Sequence, residues 1–253
     1  MISLSKIEEK LYRPVDAYEL SRVTRMEHVK TTIVETPQEG IKAVATRIAQ
    51  LINRREANGQ KTVLSLASGR SMRDLFVELV RLHKEEGLSF KNVVIFGSYE
   101  FYPLSDTTSG SMAQIQSQLL EHVDILPENV HTFPGDLPKE DVFAFCEEYE
   151  RAIIEAGGID VQILGIGQCG NIAMNEPGTQ PNSSTRLVIM DGNSRVDVKS
   201  LFGNVAQVPT CAITLGIETI LQAKEVILLA FGQNKAGIVK QAIEEVANSA
   251  CPA

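Results

Sequence analysis

Two serines enclose a glycine and an arginine in Ser68-Gly69-Arg70-Ser71, between an apolar run and an amphipathic stretch. Free backbone N–H groups and the dipole at a helix N-terminus attract an anion, and the two hydroxyls add donors. Arg70 can add a charge-assisted hydrogen bond. The pattern indicates a small anion site. The alternative is a capping loop in which Ser71 caps the helix and Arg70 is solvated.

A glycine-rich loop at residues 165–170 (GIGQCG) matches the dinucleotide fingerprint, and Asp191 follows at about the right distance. That fingerprint requires a helix that starts within the loop. Pro177 and Pro181 interrupt the stretch that follows, so at most a turn or two of helix fits there. We therefore expect no bound dinucleotide, and the sequence predicts no cofactor.

Two carboxylates near these loops, Glu100 and Glu176, are candidates for general acid or base catalysis if they are partly desolvated. The alternative for each is a carboxylate that caps a turn. All four histidines lie outside the candidate loops, and Cys169 has neither cysteine nor histidine near it in the sequence. No HExxH, GxSxG or Walker A pattern occurs, so the sequence predicts no metal site.

Helices and strands that alternate along the chain must position these loops. Apolar residues at helical spacing and short apolar runs predict the following elements. Helices are predicted at 39–58, 113–122, 140–156 and 235–246, with another that ends near 86, and strands at 62–67, 92–96, 159–164, 187–190, 212–215 and 226–231. The order predicts an α/β, Rossmann-like fold with a mostly parallel, doubly wound sheet and helices on both faces. Ligands bind such sheets where the strands end, which selects the loops 68–73, 97–106, 165–178 and 232–235.

The chain reads as one domain at residues 31–253 that is preceded by a charged arm at residues 1–30. The arm shows little periodicity in its apolar residues. It is predicted to be either an extended segment or an added helix. We find no internal repeat, low-complexity tract or linker-like change in composition that would divide the remainder.

Charge and cysteine usage limit the partners. The chain has 24 Lys+Arg against 32 Asp+Glu, a net charge of −8, which disfavours nucleic acid as a partner. No apolar run reaches the roughly 18 residues of a membrane span, so no membrane partner is expected. Four widely spaced cysteines without a CxxC pair or an export signal indicate reduced thiols in a cytoplasmic protein.

Four segments, taken in order and with their spacing, carry a family resemblance. They are Ser68-Gly69-Arg70-Ser71, residues 88–96 (LSFKNVVIF), residues 165–177 (GIGQCGNIAMNEP) and residues 232–236 (GQNKA). They resemble the TGGTP or TGSSP loop, the strand before F-N-x-D-E-Y, the GxGxDGHIAFNEP loop and the G-x-x-K-A loop of the glucosamine-6-phosphate deaminase/isomerase family, which is related to the 6-phosphogluconolactonases. The resemblance covers about Thr31 to Ala253. It implies a small-molecule sugar phosphate as ligand and assembly as a homo-oligomer.

The resemblance also implies a reaction in which the sugar ring opens, a proton moves between C2 and C1, and ammonia leaves. At the family's catalytic positions this chain has Tyr99 for the base, Cys169 for the aspartate and Asn171 for the histidine, while Glu100 and Glu176 are retained. Tyrosine, with an ordinary pKa of about 10, is a poor base at pH 7, and asparagine does not titrate. We therefore expect a sugar-phosphate-binding protein without normal deaminase turnover.

Two alternatives stay open. One is an active isomerase, deaminase or related sugar-phosphate hydrolase with a rebuilt acid/base set. The other is a non-catalytic regulatory or oligomer-partner protein.

The phosphate end is better retained than the catalytic end. Ser68, Gly69, Ser71 and Lys235 match the family's phosphate-contacting positions, and Arg70 adds a cation there. The resemblance further matches Arg186 to one cationic position of the family's allosteric site. A second cationic position of that site holds valine in this chain, so Arg186 is interpreted as an allosteric remnant.

Overall fold

A computed structural model describes residues 16–253 of the chain, apart from residue 105. The predicted arm at 1–30 falls only partly in this range, because residues 1–15 lie outside the described residues. The described part contains a helix, α1 (Ala17–Thr24), whose N-cap Asp16 accepts a hydrogen bond from the Glu19 N–H at 2.8 Å. An acidic N-cap of this kind stabilises the first turn of a helix.

Helices and strands alternate through the rest of the described chain. The strands are β1 (Thr62–Leu66), β2 (Val93–Gly97), β3 (Tyr99–Tyr102), β4 (Val130–His131), β5 (Val161–Gly165), β6 (Arg186–Ile189), β7 (Cys211–Thr214) and β8 (Glu225–Leu229). The remaining helices are α2 (Pro37–Ala57), α3 (Arg70–Glu86), α4 (Ser111–Gln118), α5 (Val142–Glu155), α6 (Gly192–Val198), α7 (Ile217–Leu221) and α8 (Ala236–Glu244). All the predicted strands and helices are present, with ends displaced by a few residues.

Five strands form a parallel sheet in the order β4-β2-β1-β5-β8. Successive side chains of a strand point to opposite faces. Leu64 of β1 therefore packs in one apolar cluster with residues of α2 and α3, whereas its neighbour Val63 packs in a second cluster with residues of α5. Helices cover both faces, which confirms the predicted α/β architecture.

Three further strands form a separate antiparallel sheet in the order β3-β7-β6. The segments predicted at 187–190 and 212–215 are strands, but they belong to this second sheet. A single residue joins the two sheets: the Ser98 N–H donates to the Leu66 carbonyl of β1, and the Ser98 carbonyl accepts from the Leu215 N–H, both at 2.9 Å. This crossing places Tyr99, the first residue of β3, beside the carboxyl end of β1.

The elements that sequence patterning missed are short. They are β3, β4, α6 and α7, and each is too short to show a clear helical or strand period. The helix predicted at 113–122 also stops early, because the backbone at Leu119 leaves the helical region with φ −132° and ψ −61°. Leu120–His122 continues as a 3-10 turn.

Candidate functional site

A cavity of about 330 Å³ opens where β1, β5 and β8 end. Each of the four candidate loops contributes to its wall. The contributions include residues 68–71, Tyr99, residues 165–168, Asn171, Asn234 and Lys235. Sequence reasoning from the carboxyl ends of parallel strands therefore led to segments that meet in one cavity.

The anion-binding features gather at the N-terminus of α3. Gly69 is the N-cap residue, and no side chain caps the helix. Ser71 therefore does not cap this helix, and that alternative from the sequence is wrong. Gly69 has φ +127°, a backbone region that residues with a side chain rarely adopt. The uncapped first turn thus directs N–H groups and the helix dipole toward the cavity, beside the cationic Arg70 and Lys235.

Tyr99 occupies the wall next to this helix terminus. Its hydroxyl is hydrogen-bonded to the Ser68 hydroxyl, with an O···O distance of 2.8 Å. The ring is buried and packs edge to face on Phe101, with centroids 5.7 Å apart. Burial raises the pKa of the Tyr99 phenol, and the neighbouring Glu100 charge raises it further, although the bond to Ser68 opposes the shift. The phenol therefore keeps its proton at neutral pH.

Asn171 is held in place by its own loop and by α6. Its carbonyl accepts from the Gly167 N–H at 2.8 Å, and its side-chain amide donates to the Ser194 hydroxyl, also at 2.8 Å. The amide oxygen of Asn171 is buried and has no hydrogen-bond partner among the described residues. This oxygen is an acceptor in a residue that lines the cavity, where a ligand hydroxyl can satisfy it.

Sequence reasoning missed Ser194 and Asp197, which reach the cavity from α6. Asp191 caps that helix by accepting from the Ser194 N–H at 2.7 Å. Asp197 is exposed, and it brings a carboxylate into a wall that is otherwise neutral or cationic. The available signal was Asp191 followed by Gly-Asn-Ser, a pattern typical of a helix start.

Glu100 follows Tyr99 in β3 but is not part of the cavity wall. Its carboxylate, 3% exposed, accepts from the backbone N–H groups of Phe101, Ser111 and Met112, each at 2.8 Å. Burial raises the pKa of Glu100, while the three N–H donors act in the opposite direction. The residue anchors the first turn of α4 to β3.

Glu176 and Cys169 also lie outside the residues that line the cavity. The Glu176 carboxylate accepts from the Asp191 N–H, with N···O distances of 3.0 and 3.1 Å. This contact connects the NEP segment to the start of α6. Cys169 is a partly exposed free thiol.

Arg186 lies at the start of β6, away from the cavity wall. It donates to the Asn175 side-chain oxygen at 3.0 Å and to the Ser184 carbonyl at 3.2 Å. Burial lowers the pKa of its guanidinium. Its observed contacts hold the NEP segment against the antiparallel sheet.

No group of three or more His, Cys, Asp or Glu side chains among the described residues is arranged to hold a metal ion. None of their helices combines the length and the apolar character needed to cross a membrane.

Comparisons with known proteins cover most of this structure. Residues 35–253 match the family described as glucosamine-6-phosphate isomerases/6-phosphogluconolactonase. Over 253 residues the chain is 43% identical to a glucosamine-6-phosphate deaminase-like protein of Bacteroides thetaiotaomicron, covering 100% of this chain and 38% of that protein. It is 39% identical over 197 residues to the glucosamine-6-phosphate deaminase of Bacillus pumilus, covering 76% of this chain and 79% of the other.

A solved structure agrees with these matches. A monomeric glucosamine-6-phosphate deaminase superposes with a TM-score of 0.83 at 31% identity, over 88% of this chain and 91% of that one.

Proposed function

The chain belongs to the glucosamine-6-phosphate isomerase/6-phosphogluconolactonase family, and we propose that it binds a sugar phosphate without normal deaminase turnover. Family membership rests on the match over residues 35–253 and on the identity to named deaminases. The loss of turnover is our inference from this chain's own cavity.

One observation carries the proposal. Of the five candidate catalytic residues, only Tyr99 and Asn171 line the cavity. Carbon-acid isomerisation needs a group that accepts a proton near neutral pH. The buried Tyr99 phenol has a raised pKa, and the Asn171 amide does not titrate, so neither side chain suits that role.

The other end of the cavity supports binding. The hydroxyls of Ser68 and Ser71, the first turn of α3, and the cations of Arg70 and Lys235 all face the same space. A phosphate monoester carries close to two negative charges at neutral pH and accepts several hydrogen bonds. Such a group matches this combination of donors and cations, and the neutral side chains opposite suit sugar hydroxyls.

The proposal is tested by NMR of glucosamine 6-phosphate in D2O with near-stoichiometric protein. We expect broadened ligand signals with no loss of the C2 proton and no fructose 6-phosphate. Disappearance of the C2 proton or formation of product would show turnover and contradict the proposed lack of catalysis. Sharp, unchanged ligand signals would contradict binding.

Asp197 favours a second candidate function, proton transfer by a rebuilt acid/base set. Its carboxylate is the one acidic side chain in the wall formed by the described residues. If the wild-type protein turns over glucosamine 6-phosphate, Asp197→Asn should abolish that activity, whereas Glu176→Gln outside the wall should retain most of it. Equal activity in Asp197→Asn and wild type would remove Asp197 from consideration.

A further inference from the structure

Tyr99 makes its closest polar contact with Ser68, a residue of the anion-binding turn. The two hydroxyl oxygens are 2.8 Å apart, and both residues line the cavity. The Gln114 amide approaches the same Ser68 oxygen at 3.5 Å. An amide NH₂ can only donate, so Gln114 takes up an acceptor position of the Ser68 hydroxyl.

The direction of the Tyr99–Ser68 bond decides what Ser68 offers to a ligand. A serine hydroxyl has one proton and two acceptor positions. When Tyr99 donates, the Ser68 proton is left for the cavity. When Ser68 donates, its lone pairs face the cavity and repel an anion.

A phenol that keeps its proton can donate to Ser68, as the first arrangement requires. The phenol is 8% exposed and fixed by its packing on Phe101, and it retains its proton at neutral pH. Its strand is also held in register, because Tyr99 pairs with Thr214 across β3 and β7. When the phenol donates from this fixed position, the Ser68 proton is free to point toward the ligand.

We propose that Tyr99 is a positioning residue that acts through Ser68: it donates to the Ser68 hydroxyl, so that Ser68 donates to the phosphate of a bound sugar phosphate. The inference rests on the proposed function and deepens it. At this position the family's pattern has its catalytic base. In this chain the tyrosine would instead orient a ligand of the phosphate, and it would not act on the sugar carbon.

A double-mutant cycle tests the coupling. Titration calorimetry with glucosamine 6-phosphate compares wild type, Ser68→Ala, Tyr99→Phe and the double variant. Ser68→Ala loses a hydrogen bond to a charged phosphate and should bind about 13- to 160-fold more weakly. Tyr99→Phe loses only a hydrogen bond between neutral groups and should bind about 2- to 13-fold more weakly. The double variant should bind within about 2-fold of Ser68→Ala, because Tyr99 has nothing left to orient. Effects that multiply in the double variant would overturn the inference.

Two controls separate this result from general damage. Tyr102→Phe removes another buried hydroxyl from the same strand, one that donates to the Leu137 carbonyl at 2.8 Å outside the cavity wall. It should leave affinity unchanged. Binding of inorganic phosphate should follow the same cycle as glucosamine 6-phosphate, and failure to do so would contradict a role at the phosphate.

A spectroscopic readout covers the case in which Tyr99→Phe does not fold. In protein labelled with ¹³C at tyrosine Cζ, inorganic phosphate should shift the Tyr99 signal in wild type but not in Ser68→Ala. The chain has only five tyrosines, so assignment by substitution of the others is practical. If wild type binds phosphate but its Tyr99 signal does not shift, the inference about Tyr99 is refuted and the proposed function is not. Absence of any binding by wild type would refute the proposed function as well.

Discussion

At the scale of single residues, the cavity wall combines cationic groups, neutral groups and the single carboxylate of Asp197 among the described residues. Arg70 and Lys235 are its cations, and both belong to segments that resemble the family's phosphate loops. Asn171 and Ser194 offer neutral hydroxyl and amide groups. Cations gain most from a doubly charged phosphate, whereas neutral groups suffice for sugar hydroxyls, because hydrogen bonds to charged groups are about twice as strong.

Lys235 should contribute strongly to affinity. It is partly buried at the edge of the cavity, so its charge is screened less than that of an exposed lysine. A charge-assisted hydrogen bond is worth about 1.5–3 kcal/mol, so we expect Lys235→Ala to weaken glucosamine 6-phosphate binding by about 13- to 160-fold in calorimetry. Lys240→Ala is the matched control, because Lys240 is exposed on α8 and lies 3.9 Å from Glu244. Equal losses in both variants would mean that only the net charge matters.

At the scale of elements, the parts of the site that could be predicted from the sequence are those next to helices and strands with a clear apolar pattern. The 68–71 loop was identifiable because a buried strand and a long amphipathic helix, β1 and α3, enclose it. Asp197 was not identifiable as a site residue, because α6 has only seven residues and shows no clear pattern. The helix is connected to the cavity by a tertiary contact between Ser194 and Asn171, which the sequence does not reveal. The position of Glu100 outside the cavity wall could not be predicted from the sequence either. Its sequence neighbours do not reveal that the first turn of α4, eleven residues later, closes over its carboxylate.

Glu100 should therefore govern stability more than ligand affinity. Glu100→Ala leaves three backbone N–H groups without their acceptor, two of them buried, and each buried loss costs about 1–3 kcal/mol. We expect a fall of several kcal/mol in the free energy of unfolding measured with urea. Glu100→Gln, which keeps the shape and one acceptor oxygen, should lose less. Affinity for glucosamine 6-phosphate in folded Glu100→Gln should stay within about 3-fold of wild type, since a residue outside the cavity wall does not touch the ligand.

The pH dependence of the Glu100→Gln effect has a definite sign. Burial raises the pKa of Glu100 in the folded state, so the folded protein binds this proton more tightly than the unfolded chain does. The stability that this proton provides is full below the unfolded pKa of about 4.3 and is lost as pH rises through the folded pKa. The stability deficit of Glu100→Gln relative to wild type should therefore shrink as the pH rises from about 4.3 through the raised folded pKa of Glu100. A deficit that grows with pH would show that the N–H donors outweigh burial.

At the scale of the whole molecule, the cavity and the buried Asp160 carboxylate lie at opposite ends of the parallel sheet. The cavity lies where β1, β5 and β8 end, whereas Asp160 lies where they begin. Strands of five residues separate the two ends by about 16 Å. The Asp160 carboxylate is buried, and it accepts from the Val63 N–H at 2.8 Å and from Lys224 at 2.7 Å, and pairs with Arg55 at 3.2 Å. It thus joins α2 to three neighbouring strands.

Asp160→Asn should destabilise the fold without affecting the cavity. Removing the charge leaves Arg55 and Lys224 without their shared carboxylate, and breaking a fully buried pair costs about 3–5 kcal/mol. Because Lys224 is half exposed, we expect about 2–3 kcal/mol in urea unfolding, with affinity for glucosamine 6-phosphate unchanged. Arg47→Ala breaks an ion pair with Glu225 in which the arginine is exposed, and it should cost less than about 1 kcal/mol. If Asp160→Asn instead weakened binding as much as Lys235→Ala, the two ends of the sheet would be coupled, and the cavity could not be treated as a local receptor for phosphate.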